Sequence, residues 1–179
     1  LAGGTGTLSP TWTTIVPGSG IVTNDTSQTA LDQGTYKLII TDANNCADSS
    51  TYTITEPDTI SISHTLTQIS CSDSVNGSIE ITEAGGTGAL VAVWTSSNPT
   101  FTDLGTVDLF NLDSGLYNLS LTDDNGCIYD TSFLMIKPNA IMANAEIQLV
   151  SCFGNADAEI NLNTSGGDGN YSWNWSGPN

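Results

Sequence analysis

Residues 112–127 read LDSGLYNLSLTDDNGC, and residues 31–46 read LDQGTYKLIITDANNC. Leu, Asp, Gly, Tyr, Leu, Thr-Asp, Asn and Cys keep their places in both, with Leu112 standing 81 positions after Leu31. In the later copy Tyr117, Leu119 and Leu121 alternate with Asn118, Ser120 and Thr122. That period of two predicts a strand with one buried face. Before it, Asp113, Gly115 and Tyr117 have the Asp-x-Gly-x-Tyr spacing of a tyrosine corner, in which a Tyr near the start of a late strand hydrogen-bonds back to the preceding connection. Asp32, Gly34 and Tyr36 repeat it. After the strand, Asp124-Asn125-Gly126 reads as a tight hairpin turn, because Asn and Gly tolerate positive φ. The stretch therefore spells corner, strand and turn.

The repetition extends outward from there. Gly3-Gly4-Thr5-Gly6 recurs as Gly85-Gly86-Thr87-Gly88 and as Gly166-Gly167-Asp168-Gly169. A tryptophan follows each at the same distance: Trp12, Trp94 and Trp175. Cys46 recurs as Cys127, and Cys71 as Cys152. Self-similarity at a fixed period of about 81 residues marks a repeat architecture. We divide the chain into residues 1–57, the C-terminal part of one repeat; residues 58–138, a complete repeat; and residues 139–179, the N-terminal part of a third. Since it begins and ends inside a repeat, it is expected to be a window on a longer polypeptide. Further alternating pairs, Ile79/Ile81, Leu90/Ala92/Trp94 and Ile60/Ile62, add short strands to each unit, and Tyr129 to Ile136 close it. With Gly, Asn and Asp punctuating the gaps and no helical period, the expected fold is all-β: tandem Ig-like β-sandwich repeats.

Charge narrows the partners. Among 179 residues, 19 are acidic and 2 basic, a net charge of -17 at pH 7. Such a field repels nucleic acid and anionic lipid. No apolar run approaches the ~18 residues of a membrane span, so neither nucleic acid nor membrane insertion is expected of this segment.

The four cysteines contain no close pair that would suggest a metal knuckle or redox motif. An up-and-down trace places Cys71, after the first strand of the complete unit, at the same end as Cys127, in the last turn. A Cys71–Cys127 disulfide is the expectation, closing a loop of roughly 57 residues and adding about 4 kcal/mol in the chain-entropy picture. Cys46 and Cys152 would then find partners outside this segment. Pairing Cys46 with Cys71 is closer in sequence but would need two consecutive units to touch by matching ends. Disulfides point to an oxidising, extracellular site.

Taken together, Cys71, Asn76 to Ile79, Gly85 to Gly88, Trp94, Leu112, Gly115, Tyr117, Thr122, Asp123, Asn125, Cys127 and Pro138 resemble the SprB repeat. Asp157-Ala158-Glu159-Ile160 departs from the Asn-Gly-Ser-Ile of that pattern, and Lys137 from its Glu. The late segment is also similar to PKD-type Ig-like modules. The resemblance implies a stalk or filament segment of a large adhesin on the surface of gliding Bacteroidetes-type bacteria, exported by type IX secretion. Its partners would be neighbouring repeats of the same chain and, elsewhere in the full protein, surface polysaccharide or the motility and secretion machinery. Asp58-Thr59-Ile60 and Asp73-Ser74-Val75 resemble the O-glycosylation signal of such bacteria, which would place sugars on Thr59 and Ser74.

Chemistry has few footholds. The one histidine, His64, is matched by Ala145 in the next unit, and no nucleophile elbow, P-loop or His/Cys cluster is present, so no enzyme is expected. No cofactor is expected beyond a candidate Ca²⁺, for which Asp123, Asp124 and Asn125 offer oxygens. Calcium needs six to eight oxygens, and no EF-hand loop supplies them. Trp12, Trp94 and Trp175 could stack on sugar rings, but their inward alternation assigns them to the core. A ligand-binding Ig-like module, for polysaccharide or protein, is the competing class. The Gly-Gly-Thr-Gly loops read as sharp bends between strands rather than phosphate cradles.

Overall fold

A computed structural model describes residues 4–177. Gly3, the first glycine of the first Gly-Gly-Thr-Gly, lies outside them. The fold is all-β, with eleven strands among the described residues. The chain divides into two compact units, Leu1–Asp58 and Thr59–Asn179.

The first unit is one antiparallel sheet in the order β1 (Ser9–Val16), β2 (Gly34–Thr41), β3 (Ala47–Ile54). The second contains β4 (Ser61–Thr67), β5 (Gly77–Ala84), β6 (Val91–Ser96), β7 (Leu109–Leu112), β8 (Gly115–Thr122) and β9 (Ile128–Met135). These form two sheets, β4-β5-β7 and β6-β8-β9. That is the A-B-E and C-F-G partition of an Ig-like sandwich, with the irregular residues 97–108 where a further strand could run. One core joins the sheets. Ile79, Ile81, Leu109 and Leu112 come from one face, and Trp94, Tyr117, Leu119, Leu121, Phe133 and Met135 from the other. Alternation sets this pattern: in β8, Tyr117, Leu119 and Leu121 are buried, while Asn118 between them is exposed and Ser120 half-buried. A separate ribbon, β10 (Met142–Gln148) and β11 (Glu159–Ser165), completes the second unit.

The ladders recur in register. β4 pairs β5 from Ser61↔Ala84 to Thr67↔Ser78, and β10 pairs β11 from Met142↔Ser165 to Gln148↔Glu159, each number raised by 81. Likewise Gly115↔Met135 in β8–β9 corresponds to Gly34↔Ile54 in β2–β3.

The expected Cys71–Cys127 disulfide is not formed, and all four cysteines are free and exposed. The reason is the direction of the strands. Gln68, three residues before Cys71, donates from its amide to Leu134 O at 3.1 Å and accepts from Ile136 N at 2.8 Å, so the β4–β5 connection lies at the C-terminal end of β9. Cys127 immediately precedes the N-terminal end of β9. Eight extended residues separate those ends by roughly 25 Å, against the roughly 4–7 Å between Cα atoms that a disulfide tolerates. Strict up-and-down alternation over six strands would have brought the two cysteines together. Residues 97–108 instead cross back without pairing, so that β6 and β7 run the same way and the parity reverses.

The tryptophans also differ from one another. Trp94 is buried and Trp12 half-buried, but Trp175 is 60% exposed. Residues 171–177 form no strand, so alternation there has no sheet against which to act.

Candidate functional site

Two loops meet at the end of the sandwich where β4 and β9 begin. The Gly85–Gly88 loop connects β5 to β6, and the Asp123–Cys127 turn connects β8 to β9. Gly85, Gly86 and Gly88 have φ of 82°, 73° and 75°, the left-handed region that glycine enters without a Cβ penalty. A Cβ on Gly86 would stand 3.1 Å from Ile60 Cγ1 and 3.2 Å from both Asp123 Cβ and Leu90 Cδ2, so glycine is also what lets the loop seat on the turn.

Asp123 holds the turn together. Its Oδ1 accepts from Asn125 N at 2.9 Å and Cys127 N at 2.8 Å, and its Oδ2 accepts from Thr87 N at 2.9 Å. The first unit contains the same latch. Asp42 Oδ1 accepts from Asn44 N and Cys46 N at 2.9 and 2.8 Å, and Oδ2 accepts from Thr5 N at 3.1 Å and Thr5 Oγ1 at 3.0 Å. Both carboxyls are buried. The amide of Cys127, then that of Thr87, holds Asp123 below its ordinary pKa of 3.8, and the amides of Cys46 and Thr5 do the same for Asp42. The αL position that ends the turn is Gly126 in one unit and Asn45 in the other, φ 81° and 64°.

Of the candidate cation ligands, Asp123 thus turns both oxygens to N–H donors. Asp124 has Ala43 as its counterpart, so the trio is not repeated. Among the described residues, no group of three or more His, Cys, Asp or Glu side chains is placed to hold a metal ion. The arrangement acts as a clamp between loops.

At the opposite end stand the corners. Tyr117 Oη donates to Asp113 O at 2.8 Å, and Tyr36 Oη to Asp32 O at 2.7 Å. Burial pushes the Tyr117 hydroxyl above its ordinary value. Gly115 begins β8, where an added Cβ would meet Asn98 Cβ at 3.2 Å; Gly34 begins β2 in the same place. Lys137 Nζ reaches Asp113 Oδ1 at 2.7 Å, and this contact holds Asp113 below the usual carboxylate range. Each well-placed tryptophan ties down the long connection of its unit: Trp94 Nε1 donates to Thr106 O at 3.1 Å and Trp12 Nε1 to Asp25 O at 3.0 Å. His64 is exposed on edge strand β4, edge-on to Phe133 at 4.9 Å. Thr59 is exposed, and Ser74 lies in the β4–β5 connection, half-buried, with its amide donating to Cys71 O.

One surface was not singled out from the sequence. Between residues 97–108 and β7 runs an open groove of about 780 Å³ lined by Val75, Phe101, Leu104, Val107 and Phe110 among others. Val75, Leu104 and Phe110 are 52%, 77% and 57% exposed. Thr29 and Ala156 stand at the positions of Phe110 and Val75, 81 residues away, so the fold does not require these apolar side chains. That substitution between repeats was the readable signal.

Comparison with known families bears on the third repeat, within the second unit. The SprB repeat family model matches residues 144–179. The match covers β10 from Asn144 onward, β11 and Trp175, and the register places the same ladder in β4 and β5. The SprB repeat is a module associated with cell-surface proteins. No curated protein and no solved structure matches the chain.

Proposed function

We propose that this chain is a structural segment of the stalk or filament of a large secreted bacterial surface adhesin of the kind linked to gliding, carrying no catalytic role. The observation that carries this reading is the path of the chain through the sandwich. It enters at Ile60, beside the Gly86–Asp123 clamp, and leaves beyond Met135 at the opposite end, beside Gln68. A domain traversed from end to end can be joined in tandem with each unit adding its length, a few nanometres for strands of this size. The match to the SprB repeat supports a place on the cell surface, outside the cell. Neighbouring repeats would be the immediate partners, with type IX secretion as the export route. Small-angle scattering on chains with increasing repeat number tests this: a maximum dimension rising by a constant increment per repeat is expected, and compact-globule scaling would sink the reading.

The apolar groove beside Phe110 favours a second reading, a module that grips polysaccharide or protein. Glycan-array binding that disappears in Phe110→Ser would support it.

A further inference from the structure

Asparagine is a chemically labile side chain, most of all before glycine, where no Cβ shields the following backbone nitrogen. The chain holds two Asn-Gly pairs, Asn76-Gly77 and Asn125-Gly126, both inside the complete repeat. The fold treats them differently. Asn76 Oδ1 accepts from Ser70 N at 3.1 Å, and its Nδ2 donates to Ser70 Oγ at 2.8 Å. Gly77 is buried as the first residue of β5, where an added Cβ would stand 2.6 Å from Met135 Sδ. With its carboxamide tied and its successor packed, this pair has no freedom to fold side chain onto backbone.

Asn125 is the opposite case. It is exposed in the β8–β9 turn, where its backbone amide donates to Asp123 Oδ1 at 2.9 Å and its carboxamide is bonded to no other described residue. Gly126 has a φ of 81°, and an added Cβ there would meet no atom within 4 Å. Its nitrogen donates to Asp123 O at 3.0 Å, and a bond of this kind in an exposed turn opens locally at small cost. In the first unit the counterpart is Asn44-Asn45. There Asn44 Nδ2 donates to Thr5 Oγ1 at 2.6 Å, and Asn45 sets a side chain beside the nitrogen.

We propose that Asn125 is a site of spontaneous deamidation, and that the reaction unlocks the loop clamp of its repeat. Water is the co-reactant. The Gly126 nitrogen gives its proton to hydroxide and attacks Asn125 Cγ. The new C–N bond closes a succinimide ring, and Nδ2 leaves as ammonia, taking a proton from water and returning the hydroxide. Water then opens the ring. Opening at the side-chain carbonyl leaves aspartate; opening at the main-chain carbonyl leaves isoaspartate, whose backbone runs through Cβ and Cγ. Either product places a new negative charge beside Asp123 and Asp124. Isoaspartate also lengthens the turn, which moves the amides of Gly126 and Cys127 away from Asp123 O and Oδ1, their acceptors at 3.0 and 2.8 Å. The clamp of the first unit has no Asn-Gly pair and is spared.

The test is to hold the whole 179-residue protein in warm, mildly alkaline buffer and map its peptides by fragmentation that separates aspartate from isoaspartate. The expected result is conversion at Asn125 while Asn76 and Asn44 stay intact; in urea, Asn76 converts as readily as Asn125. The converted fraction, separated on an anion exchanger by its added charge, melts below the unconverted one. Gly126→Asn copies the first unit's sequence at a position where Asn45 already adopts a φ of 64°, and it abolishes the conversion. Asn125 that persists in the folded protein but converts in urea overturns the proposal. So does equal conversion of both pairs in the folded protein, or a converted fraction that melts at an unchanged temperature.

Discussion

At the scale of single residues, the most consequential side chain is an aspartate whose carboxylate replaces missing backbone partners. Asp123 accepts three amide hydrogens from two loops, and Asp42 repeats the arrangement. Its folded pKa lies below 3.8. A depressed carboxyl contributes stability that is present above the unfolded value and is lost as pH falls through the folded one. We expect the melting temperature to drop steeply below about pH 4. Asp123→Asn should be less stable at neutral pH and lose part of that acid-side slope; an unchanged slope would show that Asp123 does not carry it. The corner tyrosine gives a second residue-scale test. Tyr117→Phe removes a hydroxyl donating to Asp113 O and should cost about 1 kcal/mol in denaturant unfolding without a change in m-value.

At the scale of elements, alternation decides which strands can be read. β8 and β5 declare themselves because every second residue is apolar and a second sheet covers that face. β7 has only four residues, of which Leu109 and Leu112 are buried, too short for a period to show. Its ladder with β5 runs only from Gly77↔Leu112 to Ile79↔Leu109, after which Asp108 Oδ1 accepts from Ile81 N at 2.7 Å in place of a strand carbonyl. Nothing in residue spacing announces such a substitution. Tyr36, Gly34 and Asp32, by contrast, stand in the sequence at the spacing of the corner they form, because a local bond needs only a local pattern. Equivalent strands allow a controlled comparison. Leu119 in β8 is 1% exposed, whereas Leu38 in β2 is half-buried. Leu119→Ala should destabilise its sandwich by about 2–5 kcal/mol. Leu38→Ala should cost the first unit less, having less buried surface to lose. Equal losses by hydrogen exchange in the two strands would contradict this account.

At the scale of the whole molecule, what the sequence could not convey was direction. Sorting strands into two sheets requires only their apolar faces, but locating a loop at one end or the other requires counting every reversal, including the crossing of residues 97–108 that forms no strand. One such crossing moves Cys127 from the end that holds Cys71 to the opposite end. The consequence is measurable. With all four cysteines exposed and free, the native protein should titrate four thiols with a water-soluble disulfide reagent at a rate close to that of the denatured chain. Reductant should leave the melting temperature unchanged, since no loop in the unfolded chain is closed by a bond that reduction would open. If instead Cys71 and Cys127 were the two silent thiols and reduction lowered the melting temperature, strands β4 to β9 would have to be threaded with the β4–β5 connection beside the β8–β9 turn. That threading is incompatible with Gln68 bonding both Leu134 and Ile136 at the far end of β9. A Cys71–Cys127 bond and those two hydrogen bonds therefore exclude each other, and identifying which thiols react tests the direction of the fold as well as the state of its cysteines.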